Sequence, residues 1–304
     1  MRRLAFLISS IFIFLGASAF NGKTRPEERN AILISWDGAL REHVRSDLAH
    51  GKLPNLARLI HSGALVDLDV TGHQTDTKAG HAQMLTGYDP TLTGVYSNGK
   101  FNPIPSGYSI FERLHQALGK QGITTIMLTG KDHNLGSAAP GLLSHGEPYY
   151  LVRPSITVWD GDQARSASKV GERAVNYVRS NASKGRFFLF IHFPDIDFNG
   201  HRYGEGSEAY DRAMVACDLW LGKILTELET QGIDGRTLVY VSADHGFDLG
   251  TNHHGNAPHI VLATSDPSVT QAGQQRDITP TILRAMGVDI AKISPALPGK
   301  PLGQ

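Results

Sequence analysis

Aspartate and histidine side chains recur in four separated segments of this 304-residue chain, and one segment also carries a threonine. Carboxylate and imidazole groups bind zinc and related divalent ions. A threonine between two such ions can act as a nucleophile, because a metal lowers the pKa of an oxygen bound to it. The combination predicts hydrolysis by phosphoryl transfer, with Thr77 as the hydroxyl. The candidate metal ligands are Asp37, Asp197, His201, Asp244, His245 and His254.

Three of these aspartates follow strand-like sequence. Asp37, Asp197 and Asp244 each come shortly after a run of apolar residues that is typical of a buried strand. In open α/β sheets, binding sites lie at the carboxyl ends of the strands. A single aspartate there can instead cap the next helix, and for Asp37 alone that interpretation is preferred. Independent capping residues need not all follow strands, so the set favours a shared site.

Two candidates have close neighbours that could replace them. Asp197 and His201 are four residues apart, which places both on one face of a helix. Asp195 is near enough in the sequence to replace Asp197, or to orient a metal ligand without binding the metal itself. His254 lies in a loop rich in glycine and asparagine, beside His253. The sequence leaves both choices open.

The elements that must position these residues alternate along the chain. Buried apolar strands that alternate with amphipathic helices predict an α/β fold, in which a mainly parallel central sheet carries helices on both faces of a single domain. The strand-like runs are residues 31–35, 64–70, 124–128, 187–193, 238–241 and 260–263. The helix-like runs are residues 53–60, 81–86, 108–118, 163–178, 209–228 and 277–287. The glycine- and proline-rich residues 134–155 are predicted to form a loop or small cap beside the site.

The first twenty residues have the pattern of a secretory leader. An Arg-Arg pair precedes an apolar run, and an Ala-Ser-Ala sequence ends at Ala19. The run is short for a membrane span, which needs about 20 residues. We therefore predict a signal peptide at residues 1–19, a catalytic domain at residues 20–304, and a periplasmic or secreted protein without a stable membrane anchor.

Composition excludes some classes of protein. Acidic and basic residues are balanced at 29 each, without a basic stripe, which argues against a nucleic-acid-binding surface. Cys217 is the only cysteine, so no intrachain disulfide can form, and its spacing with apolar neighbours predicts a core position. His73, His192 and His259 are interpreted as structural residues. The sequence does not determine the oligomeric state.

The chain resembles the alkaline phosphatase superfamily, and within it most closely the nucleotide pyrophosphatase/phosphodiesterase branch. Residues 53–56 resemble the branch's Pro-Asn-Leu helix start, and residues 85–90 and 94–98 resemble the segment after its nucleophile. Residues 194–204 resemble its Pro-Asp-x-x-Gly-His-x-x-Gly motif. Residues 242–246 resemble its Ser-Asp-His-Gly motif, with one alanine inserted.

The resemblance implies two divalent ions, most simply zinc. One ion would be held by Asp37, Asp244, His245 and the Thr77 oxygen, and the other by Asp197, His201 and His254. Thr77 would attack phosphorus and form a phospho-threonine intermediate, while Asn98 would donate a hydrogen bond to a phosphoryl oxygen. A small-molecule phosphoester is the substrate that this arrangement implies.

Several alternatives stay open within this resemblance. The Asp-Thr-x-x-Gly-His sequence around Thr77 looks more like the phosphopentomutase branch. A phosphomonoesterase or phosphonate hydrolase could use the same metals, and a catalytically silent metal-binding module is the alternative without enzyme activity. A sulfatase is disfavoured, because that branch modifies a Cys or Ser within C/S-x-P-x-R. Lys78 and Lys131 are weaker candidates for substrate contact.

Overall fold

The computed structural model describes residues 28–135, 155–161 and 166–303. The predicted leader and most of the predicted loop at residues 134–155 lie outside these ranges, so their structure stays a prediction. Within the described ranges, no helix combines the length and apolar composition that a membrane crossing requires.

A single eight-stranded sheet forms the centre of the molecule, in the order β4-β3-β5-β1-β6-β7-β2-β8. Its strands are β1 (Asn30–Trp36), β2 (Ala64–Asp69), β3 (Thr124–Thr129), β4 (Val158–Gly161), β5 (Phe187–Phe193), β6 (Thr237–Ser242), β7 (His259–Thr264) and β8 (Gly273–Gln274). All neighbours pair in parallel except β7, which is antiparallel to both β6 and β2. The predicted mainly parallel sheet is confirmed, with two short edge strands that the sequence did not reveal.

The most apolar strands lie at the middle of the sheet. In β1, Ile34 is in register with Ile191 of β5 on one side and with Val241 of β6 on the other. Every residue of β1 and β5 is buried. Helices cover both faces of these strands, and for that reason their sequences read as continuous apolar runs. Ser35 and His192 are the polar exceptions near the carboxyl ends.

Ten α-helices surround the sheet within the described ranges. They are α1 (Arg41–Ala49), α2 (Pro54–His61), α3 (Thr77–Thr86), α4 (Pro90–Thr93), α5 (Ile110–Leu118), α6 (Asp132–Leu135), α7 (Ala167–Asn181), α8 (Asp195–Tyr203), α9 (Glu208–Thr230) and α10 (Ile278–Ala285). Helices α1, α2, α7, α8 and α9 pack among themselves, and α3, α4, α5, α6 and α10 form a second group. The two groups are the helix layers on the two faces of the predicted α/β fold. Cys217 on α9 is buried, as predicted.

Helix boundaries differ from the prediction where the sequence is polar. The sequence of α1 has few apolar residues, and only Val44 and Asp47 of its residues are buried, so no helical period was visible. Helix α3 begins at Thr77 rather than at His81, because Asp76 caps its first turn through the Ala79 amide. Proline at the first position of α2 confirms the predicted helix start there.

Candidate functional site

Three side chains that follow the central strands lie together. Asp37 follows β1, while Asp244 and His245 follow β6, and all three are fully buried. His245 Nε2 lies 3.6 Å from Asp37 Oδ1 and 3.4 Å from Asp244 Oδ2. The backbone N–H of Gly38 donates to Asp244 Oδ1 at 3.1 Å, which ties the two strand ends together. We call Asp37, Asp244 and His245 the strand-end group.

A second cluster combines helix α8 with a loop. Asp197 and His201 occupy one turn of α8, and their Oδ1 and Nε2 atoms are 3.3 Å apart. His254 comes from the loop at residues 247–256, and its Nε2 lies 3.8 Å from Asp197 Oδ1 and 3.0 Å from His201 Nε2. We call Asp197, His201 and His254 the helix-loop group. The predicted helical spacing therefore brings both α8 residues to one point.

Backbone carbonyls determine which nitrogen of each imidazole faces the cluster. His201 Nδ1 donates to the Asn252 carbonyl at 3.0 Å, and His254 Nδ1 donates to the Thr75 carbonyl at 2.6 Å. In the neutral rings, both Nε2 atoms then carry lone pairs. Burial, followed by the charge of His245, lowers the pKa of His254 to about 4, so this ring is neutral at pH 7. Two lone pairs aimed at one point suit a cation.

The strand-end group also presents acceptor atoms without donors. His245 Nδ1 donates to the Gly246 carbonyl at 2.9 Å, which leaves its Nε2 as an acceptor. Among the described residues, no hydrogen-bond partner reaches His245 Nε2, Asp37 Oδ1, Asp244 Oδ2 or Asp197 Oδ1, although all four atoms are buried. Buried acceptors without donors are costly unless a cation neutralises them. Asp37, Asp197 and His245 offer atoms within 4.8 Å of one another, and so do the members of the helix-loop group. These side chains therefore fit divalent ions.

Lys131 and His192 control the ionisation of Asp37. The Oδ2 atom of Asp37 accepts from His192 Nε2 at 2.8 Å and lies 2.7 Å from Lys131 Nζ, which also pairs with Asp197. Burial alone would raise the pKa of Asp37, but Lys131 and then His192 hold it well below its usual range. Burial and the neighbouring charge of Asp37 raise the pKa of Asp244 well above its usual range. A nearby cation would favour the ionised form of both carboxyls.

His81 connects the strand-end group with the helix that carries Thr77. Its Nδ1 donates to the Thr77 carbonyl at 2.7 Å and lies 3.3 Å from Asp244 Oδ2. Its Nε2 lies 2.9 Å from the Ser35 hydroxyl. Burial, followed by the charge of His192, holds the pKa of His81 well below its usual value, so the ring is neutral. His81 therefore positions the first turn of α3.

Thr77 is the first residue of α3 and is almost fully buried. The N-cap residue Asp76 accepts from the Asn98 backbone N–H at 2.6 Å, and Asn98 Oδ1 accepts from the Lys78 N–H at 2.9 Å. These bonds hold Asn98 beside the amino end of the helix. A helix amino end attracts anions, because its backbone N–H groups and its dipole face outwards. Thr77 and Asn98 therefore lie together at the amino end of α3.

Two glycines allow close packing of the elements that carry the cluster. A Cβ atom on Gly80 would lie 2.3 Å from the Asp244 carbonyl oxygen, so α3 packs directly on the strand-end group. A Cβ atom on Gly200 would lie 2.5 Å from the Phe247 ring, which packs α8 against the His254 loop. Larger residues at either position would separate the elements that carry the cluster.

The structure separates the competing candidates. Asp195 Oδ2 accepts from the Ala167 N–H at the start of α7, and His253 is exposed. Asp197 and His254 are the members of each pair that the fold brings into the cluster. Lys78 Nζ lies 3.8 Å from the centre of the Phe101 ring.

Sequence reasoning missed part of the arrangement. It treated His192 as structural, although His192 contacts Asp37, and it considered Lys131 only for substrate contact, although its ammonium lies between two carboxylates. A histidine inside the apolar strand FFLFIHF was the available signal for the first. No sequence signal revealed the contacts of Lys131.

Solved structures of other proteins share this fold. A phosphonate monoester hydrolase from Silicibacter pomeroyi superposes with a TM-score of 0.63 at 15% identity and covers 90% of this chain and 76% of its own. A lipoteichoic acid synthase from Listeria monocytogenes gives a TM-score of 0.62 at 13% identity over 92% and 75% of the two chains. At these identities, the similarity shows the fold alone.

Curated relatives match over much of this chain. A pyrophosphatase/phosphodiesterase of Schizosaccharomyces pombe, itself named as uncharacterized, is 22% identical over 258 residues, which are 78% of this chain and 48% of the yeast protein. A 2,3-bisphosphoglycerate-independent phosphoglycerate mutase of Halobacterium salinarum is 25% identical over 281 residues, 86% of this chain and 51% of its own. The chain thus spans about half the length of these relatives.

The family profile of type I phosphodiesterase / nucleotide pyrophosphatase matches residues 31–281. This range begins in β1 and ends in α10, so it includes both groups of the candidate site. The chain belongs to the type I phosphodiesterase/nucleotide pyrophosphatase family.

Proposed function

We propose that this protein is a divalent-metal-dependent phosphoester hydrolase that cleaves phosphodiesters or nucleotide-type pyrophosphates, with Thr77 as its nucleophile. The observation that carries the proposal is the convergence of orphaned buried acceptors beside the amino end of α3, where Thr77 lies. Family membership supports the same class of reaction. A solely structural role would not require four unpaired acceptor atoms in one place.

The proposal assigns one ion to each group. The strand-end group, together with the Thr77 oxygen, would hold one ion, and the helix-loop group would hold the other. Zinc is the simplest choice for a mixture of carboxylate and imidazole ligands. When bound, the ions would supply Lewis-acid stabilisation of the phosphoryl charge and a lower pKa for the Thr77 hydroxyl.

The residues of the chain would carry out the transfer in two steps. The Thr77 hydroxyl loses its proton and attacks phosphorus, and the bond from phosphorus to the leaving oxygen breaks. The leaving alcohol or phosphate takes up a proton, and Thr77 is left phosphorylated. Water then attacks the phospho-threonine, which releases the phosphate product and restores the hydroxyl. His81 keeps Thr77 in place through the backbone carbonyl of that residue.

Asn98 supports the preference for diesters. Its Oδ1 accepts from the Lys78 N–H, so the amide NH₂ is the end that can donate to a phosphoryl oxygen. A neutral donor suits a diester, which carries one negative charge. A phosphomonoester or phosphonate hydrolase is the second candidate, because the buried ammonium of Lys131 adds positive charge beside the cluster and would favour a doubly charged ester.

The leader-like sequence at residues 1–19 supports a periplasmic or secreted location. Sugar phosphates handled by cytoplasmic mutases would not be available there. Export thus favours hydrolysis of an extracellular phosphoester over a mutase reaction.

The test compares Thr77→Ala and Thr77→Ser with the unchanged protein on a chromogenic phosphodiester and a chromogenic monoester, with zinc supplied. We expect Thr77→Ala to lose on the order of 10³-fold or more in kcat on both substrates. Thr77→Ser should keep measurable turnover, and all three proteins should bind the same amount of zinc. Thr71→Ala is the matched control, because the Thr71 hydroxyl contacts Gln274 instead.

Two outcomes would overturn the proposal. One is turnover by Thr77→Ala at the rate of the unchanged protein. The other is an unchanged protein that hydrolyses neither substrate with zinc or manganese, which would favour the silent metal-binding module. A faster monoester than diester reaction would keep Thr77 as the nucleophile but would select the second candidate.

A further inference from the structure

The loop that carries His254 has no regular secondary structure, so hydrogen bonds must fix its conformation. Within the loop, Asp248 N–H donates to the His253 carbonyl at 2.9 Å, and Asp248 Oδ1 accepts from the Asn256 N–H at 3.0 Å. These bonds set the local turn. They do not determine where the loop lies relative to α8.

Glu205 attaches the loop to the end of α8. Its backbone N–H donates to the Thr251 carbonyl at 2.9 Å, and its Oε1 accepts from the Gly250 N–H. One residue later, the Asn252 carbonyl accepts from His201 Nδ1 at 3.0 Å, and Asn252 Nδ2 donates to the His201 carbonyl at 3.3 Å. The contacts of Glu205 and of His201 therefore lie on consecutive loop residues.

A histidine on helix α1 also contacts the carboxylate of Glu205. Glu205 is only 4% exposed, although it is a carboxylate in a connecting segment. Its Oε2 contacts Nε2 of His43 on α1, and His43 Nδ1 lies 3.5 Å from Asp211 Oδ1 on α9. The His43 ring also packs edge-on against Tyr210, at 5.2 Å between ring centres. A buried carboxylate with two fixed partners cannot move without losing both.

We propose that Glu205 is a positioning residue that sets how tightly the helix-loop group binds its metal ion. It does so through the backbone of residues 250–252, which orients the His201 ring and leads directly to His254 in the same loop. The inference rests on the proposed function, because it assumes that this group binds an ion. The strand-end group has no corresponding dependence, since the sheet positions its members.

The experiment measures zinc binding to the chelator-stripped full chain by competition with a chromophoric chelator. The zinc of the helix-loop group should be the more weakly held of the two, because its His201 side chain is 45% exposed. We expect Glu205→Ala to raise the dissociation constant of this weaker zinc about 10-fold, the size typical for residues that orient ligands. The tighter constant should not change. Glu205→Gln should restore most of the affinity, because its amide oxygen can still accept from Gly250. Turnover of a phosphodiester by Glu205→Ala should return to the unchanged level at saturating zinc.

Glu208→Ala is the matched control, because Glu208 is an exposed glutamate three residues further on that pairs with Arg212. It should leave both zinc constants unchanged. Equal constants in folded Glu205→Ala and in the unchanged protein would contradict the inference alone. An unchanged protein that binds no zinc would contradict the proposed function instead.

His43→Ala provides a second variant in case Glu205→Ala does not fold. It removes one of the two partners of the Glu205 carboxylate but is itself partly exposed. The weaker zinc constant should rise, by less than in Glu205→Ala. If it does not rise, Glu205 does not act through its contact with α1, and the inference is wrong.

Discussion

The strand-end group and the helix-loop group offer similar ligand atoms on different supports. The first group consists of fully buried residues within three positions of the ends of β1 and β6, which are paired in register along their length. In the second group, the side chain of His201 is 45% exposed and that of His254 is 15% exposed. Sheet pairing fixes the first group, whereas side-chain contacts to loop carbonyls fix the second.

This difference has a consequence for metal binding. Burial strengthens the attraction between a cation and the strand-end carboxylates, because little water screens it. The more exposed ring of His201 gains less from an ion, and part of its orientation depends on a loop. We therefore expect the strand-end group to bind its ion first and more tightly.

The largest effect is expected for Asp37→Asn, which removes a charge from the strand-end group. Without that charge, His192 loses its ionised partner, Lys131 keeps only Asp197, and the ion loses a charged ligand. We expect kcat on a phosphodiester to fall on the order of 10³-fold. Raising the zinc concentration should not restore it. Asp289→Asn, at a surface pair with Lys292, is the control.

If excess zinc restored the kcat of Asp37→Asn, the expected order of metal affinities in the two groups would be reversed. It would mean that the strand-end group is the more weakly occupied one.

A smaller and reversible effect is expected for His201→Gln and His254→Gln, which change the helix-loop group. Each should raise the zinc concentration needed for half-maximal activity about 100-fold, and excess zinc should restore much of the rate. His253→Gln is the matched control, because His253 is the exposed neighbour of His254 and is not a member of the helix-loop group. If His253→Gln has the larger effect, the assignment of His254 is wrong.

Acid should destabilise the metal-stripped protein through the buried histidines His81, His192 and His254. Burial lowers the pKa of His254 to about 4, and it also lowers those of His81 and His192, whereas an unfolded imidazole titrates near 6.5. Between these values the unfolded chain binds more protons, so this part of the stability is complete above about pH 6.5 and declines towards pH 4. Urea unfolding in chelator at pH 7, 5.5 and 4.5 measures the decline.

His254→Gln should make that decline shallower. If the urea midpoint of the metal-stripped protein does not change between pH 7 and 4.5, these rings are not held neutral by burial.

The smallest effect is expected for Asp195→Ala, two residues before the ligand position of α8. Asp195 accepts from the Ala167 N–H and so caps α7. We expect a loss of about 1 kcal/mol in the free energy of unfolding, as for other lost caps. Both zinc constants should stay within about twofold, since Asp195 does not orient the helix-loop group. A weaker zinc constant would show that it does.

The two groups also differ in how far the sequence predicts them. Asp37, Asp244 and His245 follow strands whose continuous apolar runs mark both the strand and its end. Asp197 and His201 were visible through their spacing, but Asp195 and His253 could not be excluded. That choice depends on which carboxylate caps α7 and on which ring reaches the Thr75 carbonyl. Neither contact can be predicted from the residues adjacent to these positions in the sequence.

Contacts between residues far apart in the chain were the hardest to predict from the sequence. Lys131 and Asp197 are 66 residues apart, and His43 and Glu205 are 162 residues apart. Helix α1, which carries His43, was itself missed, because its sequence is mostly polar. Residues that orient ligands through such contacts have no motif, since their partners are fixed only by packing of the whole fold.

The most direct test follows phosphodiester hydrolysis while zinc is returned stepwise to the chelator-stripped, unchanged protein. We expect two zinc ions per chain with separate dissociation constants, and activity that rises with the second, weaker one. Full activity with a single ion per chain, or without any ion, would contradict a site built from two unequal metal-binding groups.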